Sequence, residues 1–562
     1  MVASACYNPQ KYVPLVRLYM TTPENPKTSV QLLNWLQVLA LIWARLTPHY
    51  VPMMQPDPDV SKPRETLFDE TLYLPIVNRP PETTAISTSL HSSLVEASAE
   101  IRDMLGVGVV QYAALRWNEL QNADGSYNYD LMDEQVGVIN NLLASGNRVI
   151  VQFFGTAEFA QIYDGNTCSP FSAEDTIKYQ QFIQEVLSRI NFGPHGQSGV
   201  ILEFWNEPEV PYYMCLPGYF GGFGPQNQNP TPQDYYEAGF EFGQNQLRPL
   251  YEHFNAQGFK IISPGFMLDD MVNHAQFLIG IRAAELAGPP GKQKLFDAVG
   301  IHNYQYMPYL ASHEFVVADN NWPDGLKSKI GFIRDYFGED MNVIVLEIGG
   351  MCILYSGPEA TEELYEICRA YIEAYTEDGK CNFPQTGGGG SDELVPPLCS
   401  KGTIFDHYKG RYYIVSLLDY LEESRVQNSD FTIFSWYSML DGGWKTVGLQ
   451  IGTEMQDSAF MVDFFLTLFY GQDQDVSNTP PFTKVDVSSM VSYYEFPRAG
   501  ALPQSTIRLY VAKTQTGESL PVPAGFINVY DSMGNEIEIS GDTFQAGGLP
   551  IYFELPATSV NH

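Results

Sequence analysis

The chain has 562 residues, 44% of them hydrophobic and 13% aromatic, which is too long for one compact core and enough for one large domain with smaller additions. Its net charge at pH 7 is −35 because bases are scarce, with 31 Lys and Arg against 66 Asp and Glu. Such a surface repels nucleic acid and anionic membranes, so neither is an expected partner. It suits a neutral, hydroxyl-rich ligand or an acidic medium.

Residues 1–82 are rich in proline and show no basic, apolar leader. The longest apolar run, residues 30–46, is interrupted by polar side chains and is shorter than the roughly 20 residues that cross a bilayer. Thr28 and Gln31 resemble a capping box, which favours a packed helix over a signal anchor, the alternative. No membrane span is therefore expected, and this N-terminal extension is predicted to pack on the domain that follows.

From residue 84 onward, a short apolar run alternates with a helical stretch such as residues 92–106 or 129–146. This alternation is typical of a parallel sheet. Eight units fit a (β/α)₈ barrel, the TIM barrel, over residues 83–477 better than an open doubly wound sheet. The predicted strands are residues 84–90, 107–113, 148–154, 199–205, 260–266, 297–304, 342–348 and 431–437.

The rest of the chain is irregular or β-rich. The largest insertion in the barrel includes a glycine-rich loop at residues 382–397, and residues 478–562 alternate in short runs that predict a β-sandwich. The seven cysteines show no metal-site spacing, so no metal is expected. Two disulfides, Cys381 with Cys399 and Cys168 with Cys215, are predicted as alternatives to free thiols.

Two glutamates stand where predicted strands end. Glu207 in "WNEP" follows the fourth strand, and Glu347 in "VIVLEIGG" ends the seventh. Because the carboxyl ends of barrel strands converge on one mouth, both side chains are predicted to face one pocket. Two carboxylates about 5 to 5.5 Å apart are what a retaining glycosidase requires, one as nucleophile and one as acid. "NEP" alone is more typical of a turn, so a catalytic site is predicted only because a second glutamate stands at the end of another strand.

Four elements in this order resemble the clan A glycoside hydrolases: "WNEP", "GIHNYQ", the glutamate that ends the seventh strand, and an aromatic residue on the eighth. The resemblance covers about residues 84–475, and the closest-looking family is the β-xylosidase and α-L-iduronidase family. It implies a carbohydrate substrate and no metal or organic cofactor. It also implies roles: Glu207 as acid/base, Glu347 as nucleophile, Asn206 as donor to the sugar 2-hydroxyl, Tyr304 as partner of the nucleophile, and His302 and Trp436 as sugar contacts.

One residue departs from that pattern. Where the clan usually has an arginine near the nucleophile, this chain has Gln111, with Arg116 five residues later. Either Arg116 or no arginine takes that role. The acids Glu158 and Glu209 are expected to be solvated in loops, and the aromatic, glycine-rich residues 211–236 form either a surface loop or a wall for stacking sugars.

The sequence thus predicts a retaining hydrolase of β-type glycosidic bonds in oligo- or polysaccharides. The alternative is a non-catalytic carbohydrate-binding or assembly protein on a decayed barrel. The shortage of bases predicts an extracellular enzyme of an acidic habitat. A halophile is the competing explanation, although it would more naturally show an excess of acids than a shortage of bases. A cytoplasmic location is the alternative, because no leader is visible.

Overall fold

The computed structural model describes part of the chain, all of it within one compact unit, Asn78–His562. The predictions for residues 1–82, 92–106 and 211–230, and for Cys168 and Cys215, lie outside the described residues. The residues that the structure describes are 85–90, 108–161, 169, 171–210, 231–268, 272–306, 325–351, 381–382, 398–399, 404–426, 432–436, 450–451, 454–471, 479–501, 504–513 and 517–557.

Eight parallel strands close into a barrel, which confirms the predicted fold. Each strand pairs with the next along the chain, and the last pairs with the first. Every strand overlaps its predicted position, and the third and fifth match it at both ends. The strands are β1 (Ala85–Leu90), β2 (Val109–Arg116), β3 (Arg148–Phe154), β4 (Val200–Phe204), β5 (Lys260–Phe266), β6 (Ala298–Tyr306), β7 (Val343–Met351) and, after the short pair β8 (Cys381–Asn382) and β9 (Leu398–Cys399), β10 (Ile433–Trp436).

Helices surround the barrel, and several begin at side-chain caps. Ser172 accepts a hydrogen bond from the Asp175 N–H, and Thr231 with Asp234 forms a capping box before Pro232. None of the helices in the described part of the chain has the length and hydropathy needed to span a membrane. They are α1 (Trp117–Leu120), α2 (Tyr129–Ala144), α3 (Ala173–Ser188), α4 (Pro232–Phe242), α5 (Arg248–Asn255), α6 (Asn273–Leu286), α7 (Leu326–Phe337), α8 (Ile404–Val426) and α9 (Asp457–Tyr470).

The interior of the barrel has an apolar floor and a polar layer above it. Because side chains alternate along a strand, residues two apart point the same way. Two residues beyond the floor, β2, β3 and β4 present Gln111, Gln152 and Glu203, all almost completely buried. The floor consists of Val109, Ile150, Ile201, Ile262, Ala298, Ile344, Leu346 and Ile433.

The C-terminal region forms two antiparallel sheets that share a core, which confirms the predicted β-sandwich. Val491, Tyr510 and Phe553 of the larger sheet pack with Leu520 and Phe544 of the smaller one. A short hairpin of β11 (Gln450–Ile451) and β12 (Glu454–Met455) precedes α9. The larger sheet contains β13 (Thr483–Asp486), β14 (Val491–Pro497), β15 (Ser505–Ala512), β17 (Asn528–Tyr530) and β19 (Ile551–Pro556), and the smaller contains β16 (Glu518–Pro521) and β18 (Thr543–Ala546).

The sandwich packs against α8 and α9 of the barrel. The carboxylate of Asp419 on α8, which is buried, accepts hydrogen bonds from Lys484 Nζ at 2.9 Å and from the Tyr494 hydroxyl at 2.8 Å. The rings of Phe469 on α9 and Phe496 on β14 lie 4.9 Å apart. The contact surface is therefore partly apolar and partly a buried ion pair.

The predicted disulfide between Cys381 and Cys399 falls on β8 and β9. Their backbones pair antiparallel with Cys381 directly opposite Cys399. Opposite residues in such a pair have Cα atoms about 4.5 to 5.5 Å apart, which a disulfide can span. The disulfide itself stays a prediction.

Candidate active site

The chain turns sharply where β4 ends. Trp205 and Glu207 have φ values of +81° and +41°, a left-handed conformation that non-glycine residues seldom adopt. The Trp205 N–H donates to the Phe153 carbonyl of β3 at 2.7 Å, and the Glu207 N–H donates to the Gly265 carbonyl of β5 at 3.1 Å. Backbone strain of this kind costs about 1–3 kcal/mol per residue and clusters at functional sites. Neighbouring strands thus fix the turn that carries Asn206 and Glu207.

Three buried side chains meet at the carboxyl ends of β4, β6 and β7. His302 Nδ1 lies 2.5 Å from Glu207 Oε1 and 3.5 Å from Glu347 Oε2. One oxygen of each glutamate and one ring nitrogen of the histidine lie within 4.8 Å of one another. An irregularity in the β6–β7 register sets His302 opposite Glu347. The structure therefore brings together the two glutamates that the sequence singled out, with the predicted histidine between them.

The charge on His302 is set by its neighbours. Burial favours the neutral ring, but the carboxylates of Glu347 and Glu207, with a contribution from Glu203, raise the pKa of His302 to about 9. Nε2 has no hydrogen-bond partner among the described residues. On that side the ring lies against Gly265, where an added Cβ would come within 1.9 Å of Nε2. Only glycine leaves room for the ring.

The same three side chains are spaced closely enough to hold a divalent metal ion. A histidine that binds a metal normally donates its other ring N–H to an acceptor, and Nε2 of His302 has none in the described part of the chain. The raised pKa of His302 also means that a metal must displace a proton from the ring. The cluster therefore suits two carboxyl groups that share a histidine better than a metal centre.

A third carboxyl group, Glu203, lies in the polar layer between the apolar floor and this cluster. Its Oε2 accepts from Gln111 Nε2 at 2.8 Å, and its Oε1 accepts from Gln152 Nε2 at 2.9 Å and from the Gly265 N–H at 3.1 Å. Burial raises the pKa of Glu203 to about 7 against the lowering effect of the Gln152 hydrogen bond. Gln152 Nε2 also donates to Asn206 Oδ1 at 3.1 Å.

Sequence reasoning missed Glu203 and misjudged Glu209. Glu203 sits inside the apolar run "GVILEFW", where the signal was its inward register with two glutamines on neighbouring strands. The expectation of a solvated Glu209 is wrong, because the side chain is completely buried and accepts hydrogen bonds from the Met267 and Leu268 N–H groups. Burial, and then the charge of Glu207, raise the pKa of Glu209 to about 8. Glu209 therefore fixes the chain as it leaves β5.

The remaining predicted residues fall in different places. Arg116 is exposed, pairs with Glu119 at 3.4 Å and lies over the Phe154 ring, so it does not reach Glu347. Gln111, which stands where an arginine was expected, contacts Glu203 instead. The backbone of Tyr304 lies near the end of β6 opposite Gly349, and that of Trp436 ends β10 opposite Ile348.

Comparisons with known proteins give similarities of structure alone. No family model matches the chain, and no curated protein matches it in sequence. The chain is similar to the solved structure of a GH30 endoxylanase from Clostridium papyrosolvens, with 11% identity over 84% of this chain and 98% of that one and a TM-score of 0.40. It is also similar to a β-glucosidase from Thermotoga maritima, with 14% identity over 70% and 98% of the two chains and a TM-score of 0.42. A third similar structure is the virulence factor SghA from Agrobacterium tumefaciens, with 11% identity over 70% and 97% and a TM-score of 0.40.

Proposed function

We propose that this protein is a retaining glycoside hydrolase that cleaves β-type glycosidic bonds in oligo- or polysaccharides. One observation carries the proposal: an oxygen of Glu207 and an oxygen of Glu347, both nearly buried at the barrel mouth, lie within 4.8 Å of each other. Retaining enzymes hold their carboxyl groups about 5 to 5.5 Å apart, whereas inverting enzymes need about 6.5 to 9.5 Å to admit a water molecule.

The two glutamates take different roles in this mechanism. Glu347 attacks the anomeric carbon while Glu207 protonates the leaving oxygen, and the sugar is then bound to the enzyme as a glycosyl ester. Glu207 next removes a proton from the water that releases the sugar. His302 Nδ1 contacts both carboxyl groups, at 2.5 Å from Glu207 Oε1 and 3.5 Å from Glu347 Oε2, and so holds the two side chains beside each other.

The position of the residues around the pair supports a sugar as the reacting group. Asn206 precedes Glu207 on the strained turn, and its amide oxygen accepts a hydrogen bond from Gln152. The polar layer and the shortage of cationic side chains suit an uncharged, hydroxyl-rich substrate better than an anion. The two-carboxylate reaction itself requires no nucleic acid, membrane or cofactor.

Product stereochemistry tests the proposal. With an aryl β-glycoside that the enzyme accepts, proton NMR of the first product should show the β-anomer before mutarotation. A 2-deoxy-2-fluoro glycoside with a good leaving group should trap the ester, and peptide mass spectrometry should find the label on Glu347. An α-anomer as first product, or a label elsewhere, contradicts the proposal.

A non-catalytic carbohydrate-binding protein is the second candidate. The observation that favours it is Gln111, which stands where the clan usually has an arginine and which contacts Glu203. Saturable binding of oligosaccharides in calorimetry, without hydrolysis of any aryl glycoside in a broad panel from pH 3 to 9, would establish this alternative.

A further inference from the structure

Hydrogen bonds connect the polar layer of the barrel to the turn that carries Asn206. Gln152 Nε2 has two hydrogens, and it donates one to Glu203 Oε1 at 2.9 Å and one to Asn206 Oδ1 at 3.1 Å. Glu203 and Gln152 are buried and Asn206 is partly exposed at the mouth. In the described part of the chain, the hydrogen bond of the Asn206 side chain is the one that its Oδ1 accepts from Gln152.

In this series of hydrogen bonds, Glu203 determines the orientation of the Gln152 amide, and Gln152 determines that of the Asn206 amide. Glu203 Oε1 accepts from the Gly265 N–H and lies opposite the Gln152 amide, so it requires the NH₂ group of Gln152 on that side. The same NH₂ group then requires the oxygen of Asn206. The NH₂ group of Asn206 is left facing away from Gln152, where a donor can reach a bound sugar.

We propose that Glu203 and Gln152 are positioning residues for glycoside hydrolysis, and that they act by fixing the amide of Asn206 as a hydrogen-bond donor to the substrate. The inference rests on the proposed function of Glu207 and Glu347 and adds two residues that do not touch the reacting atoms. Glu203 Oε1 is the acceptor that holds Gln152, and the charge of Glu203 is not required for this role.

Gln111 is compatible with either protonation state of Glu203. Its Nε2 donates to Glu203 Oε2 at 2.8 Å, and its own Oε1 is buried without a partner among the described residues. When Glu203 is protonated, rotation of the Gln111 amide by 180° turns this oxygen into an acceptor for the new O–H. An arginine at position 111 offers donors only and favours the charged form of Glu203. The glutamine therefore lets Glu203 be neutral in acid and still hold Gln152.

The test compares a β-glycoside with its 2-deoxy analogue, which lacks the 2-hydroxyl that Asn206 is proposed to bind. Gln152→Met removes both donors at nearly constant volume. We expect it to lower kcat/KM on the parent glycoside by about 10- to 100-fold, because hydrogen bonds to the 2-hydroxyl strengthen in the transition state. On the 2-deoxy substrate the loss should be below about threefold, since the contact is already missing.

Conservative variants separate positioning from a structural role. Glu203→Gln keeps an acceptor for Gln152 and should retain kcat/KM within about threefold, whereas Glu203→Met should show the same discrimination between substrates as Gln152→Met. Gln135→Met is the matched control, because Gln135 is a buried glutamine on α2 away from the site, and its kcat/KM should be unchanged. Gln152→Asn, one methylene shorter, replaces Gln152→Met if that variant does not fold.

Three outcomes overturn the inference. Equal losses on both substrates point to a structural role for Gln152, and no loss on either shows that Asn206 does not need it. Both leave the proposed hydrolase intact, because the wild-type enzyme is active in these assays. A wild-type protein that hydrolyses neither substrate overturns the inference together with the proposed function.

Discussion

At the scale of single residues, Glu347 offers the sharpest test because its role depends on one oxygen. Glu347→Gln keeps the size of the side chain and removes the nucleophile. We expect kcat to fall by at least about 10⁴-fold, as for other enzymes that lose a nucleophile, while the melting temperature stays within a few degrees. Stopped assays with an aryl glycoside and thermal melts measure both. A variant with near-normal turnover would show that Glu347 is not the nucleophile.

Glu207 should respond differently, because its proton matters only for poor leaving groups. We expect Glu207→Ala to retain the first step on substrates with highly acidic leaving groups, such as dinitrophenol, and to accumulate the glycosyl ester. Added azide should then attack the ester in place of activated water and give a β-glycosyl azide. Chromatography with NMR identifies this product. Its absence, with normal folding, would remove Glu207 from the role of acid/base.

Gly265 provides a test of the packing around His302. Gly265→Ala places a methyl group where the ring of His302 now lies, at 1.9 Å from Nε2, so the ring or the strand must move. We expect a loss of about 1–3 kcal/mol in the free energy of unfolding and a large fall in kcat. Gly137→Ala on α2, where an added Cβ meets nothing within 4 Å, is the control and should be neutral or stabilising. Denaturant unfolding and kinetics of the two variants decide whether the glycine at 265 is required.

At the scale of strands and helices, the sequence predicted the barrel well because its strands are continuous apolar runs. A buried parallel strand has this pattern whichever tertiary contacts it makes, and "RVIVQFF" and "KIISPGF" were therefore bounded correctly. The ends of β4 and β7 could be predicted as the site because strand ends in this fold share one mouth.

The details of the site depended on contacts that no pattern in the chain encodes. In the sequence "NEPEV", Glu209 resembles an acid in a loop. Its burial is explained by the residues that follow β5, because the N–H groups of Met267 and Leu268 donate to its carboxylate. Arg116 follows Gln111 closely in sequence, yet β2 ends with that side chain outside the barrel. Register irregularities in the β2–β3 and β6–β7 pairs shift such positions by a residue, and sequence periodicity does not reveal them.

At the scale of the whole molecule, three buried groups make stability depend on pH in one direction. Burial raises the pKa values of Glu203 and Glu209 to about 7 and 8, above the ordinary value of 4.5 in the unfolded chain. The folded state therefore holds extra protons above pH 4.5, and stability falls as pH rises toward 8. The pKa of His302, raised from 6.5 to about 9, contributes stability that is complete below pH 6.5 and is lost as pH rises through 9. Repulsion within a chain of net charge −35 adds to this trend.

We therefore expect the melting temperature to be higher at pH 5.5 than at pH 9, and we propose that the enzyme works outside the cell in an acidic habitat. Its kcat/KM should peak below about pH 6, because the first step of the proposed reaction consumes the proton of a carboxylic acid. Glu209→Gln should flatten the pH dependence of the melting temperature, since the amide does not titrate. Melts and kinetics from pH 3 to 9, with and without molar salt, measure these effects. An optimum at or above neutrality, or activity only in high salt, would contradict the acidic habitat.

The contact between Asp419 and the sandwich has a consequence for how this protein can be divided. Asp419 is nearly inaccessible to water and forms an ion pair with Lys484 of the C-terminal sandwich. The ring of Phe469 packs against the ring of Phe496, which belongs to the same sandwich. Cutting the gene after residue 477 would remove Lys484 and Tyr494 from that carboxylate, leaving Lys327 Nζ at 3.6 Å. It would also expose an aromatic surface, so the shortened product should aggregate. Calorimetry of the intact protein should show one cooperative transition for the barrel and the tail. Recombination that swaps tails among barrels would then fail here unless α8 and α9 were exchanged with them.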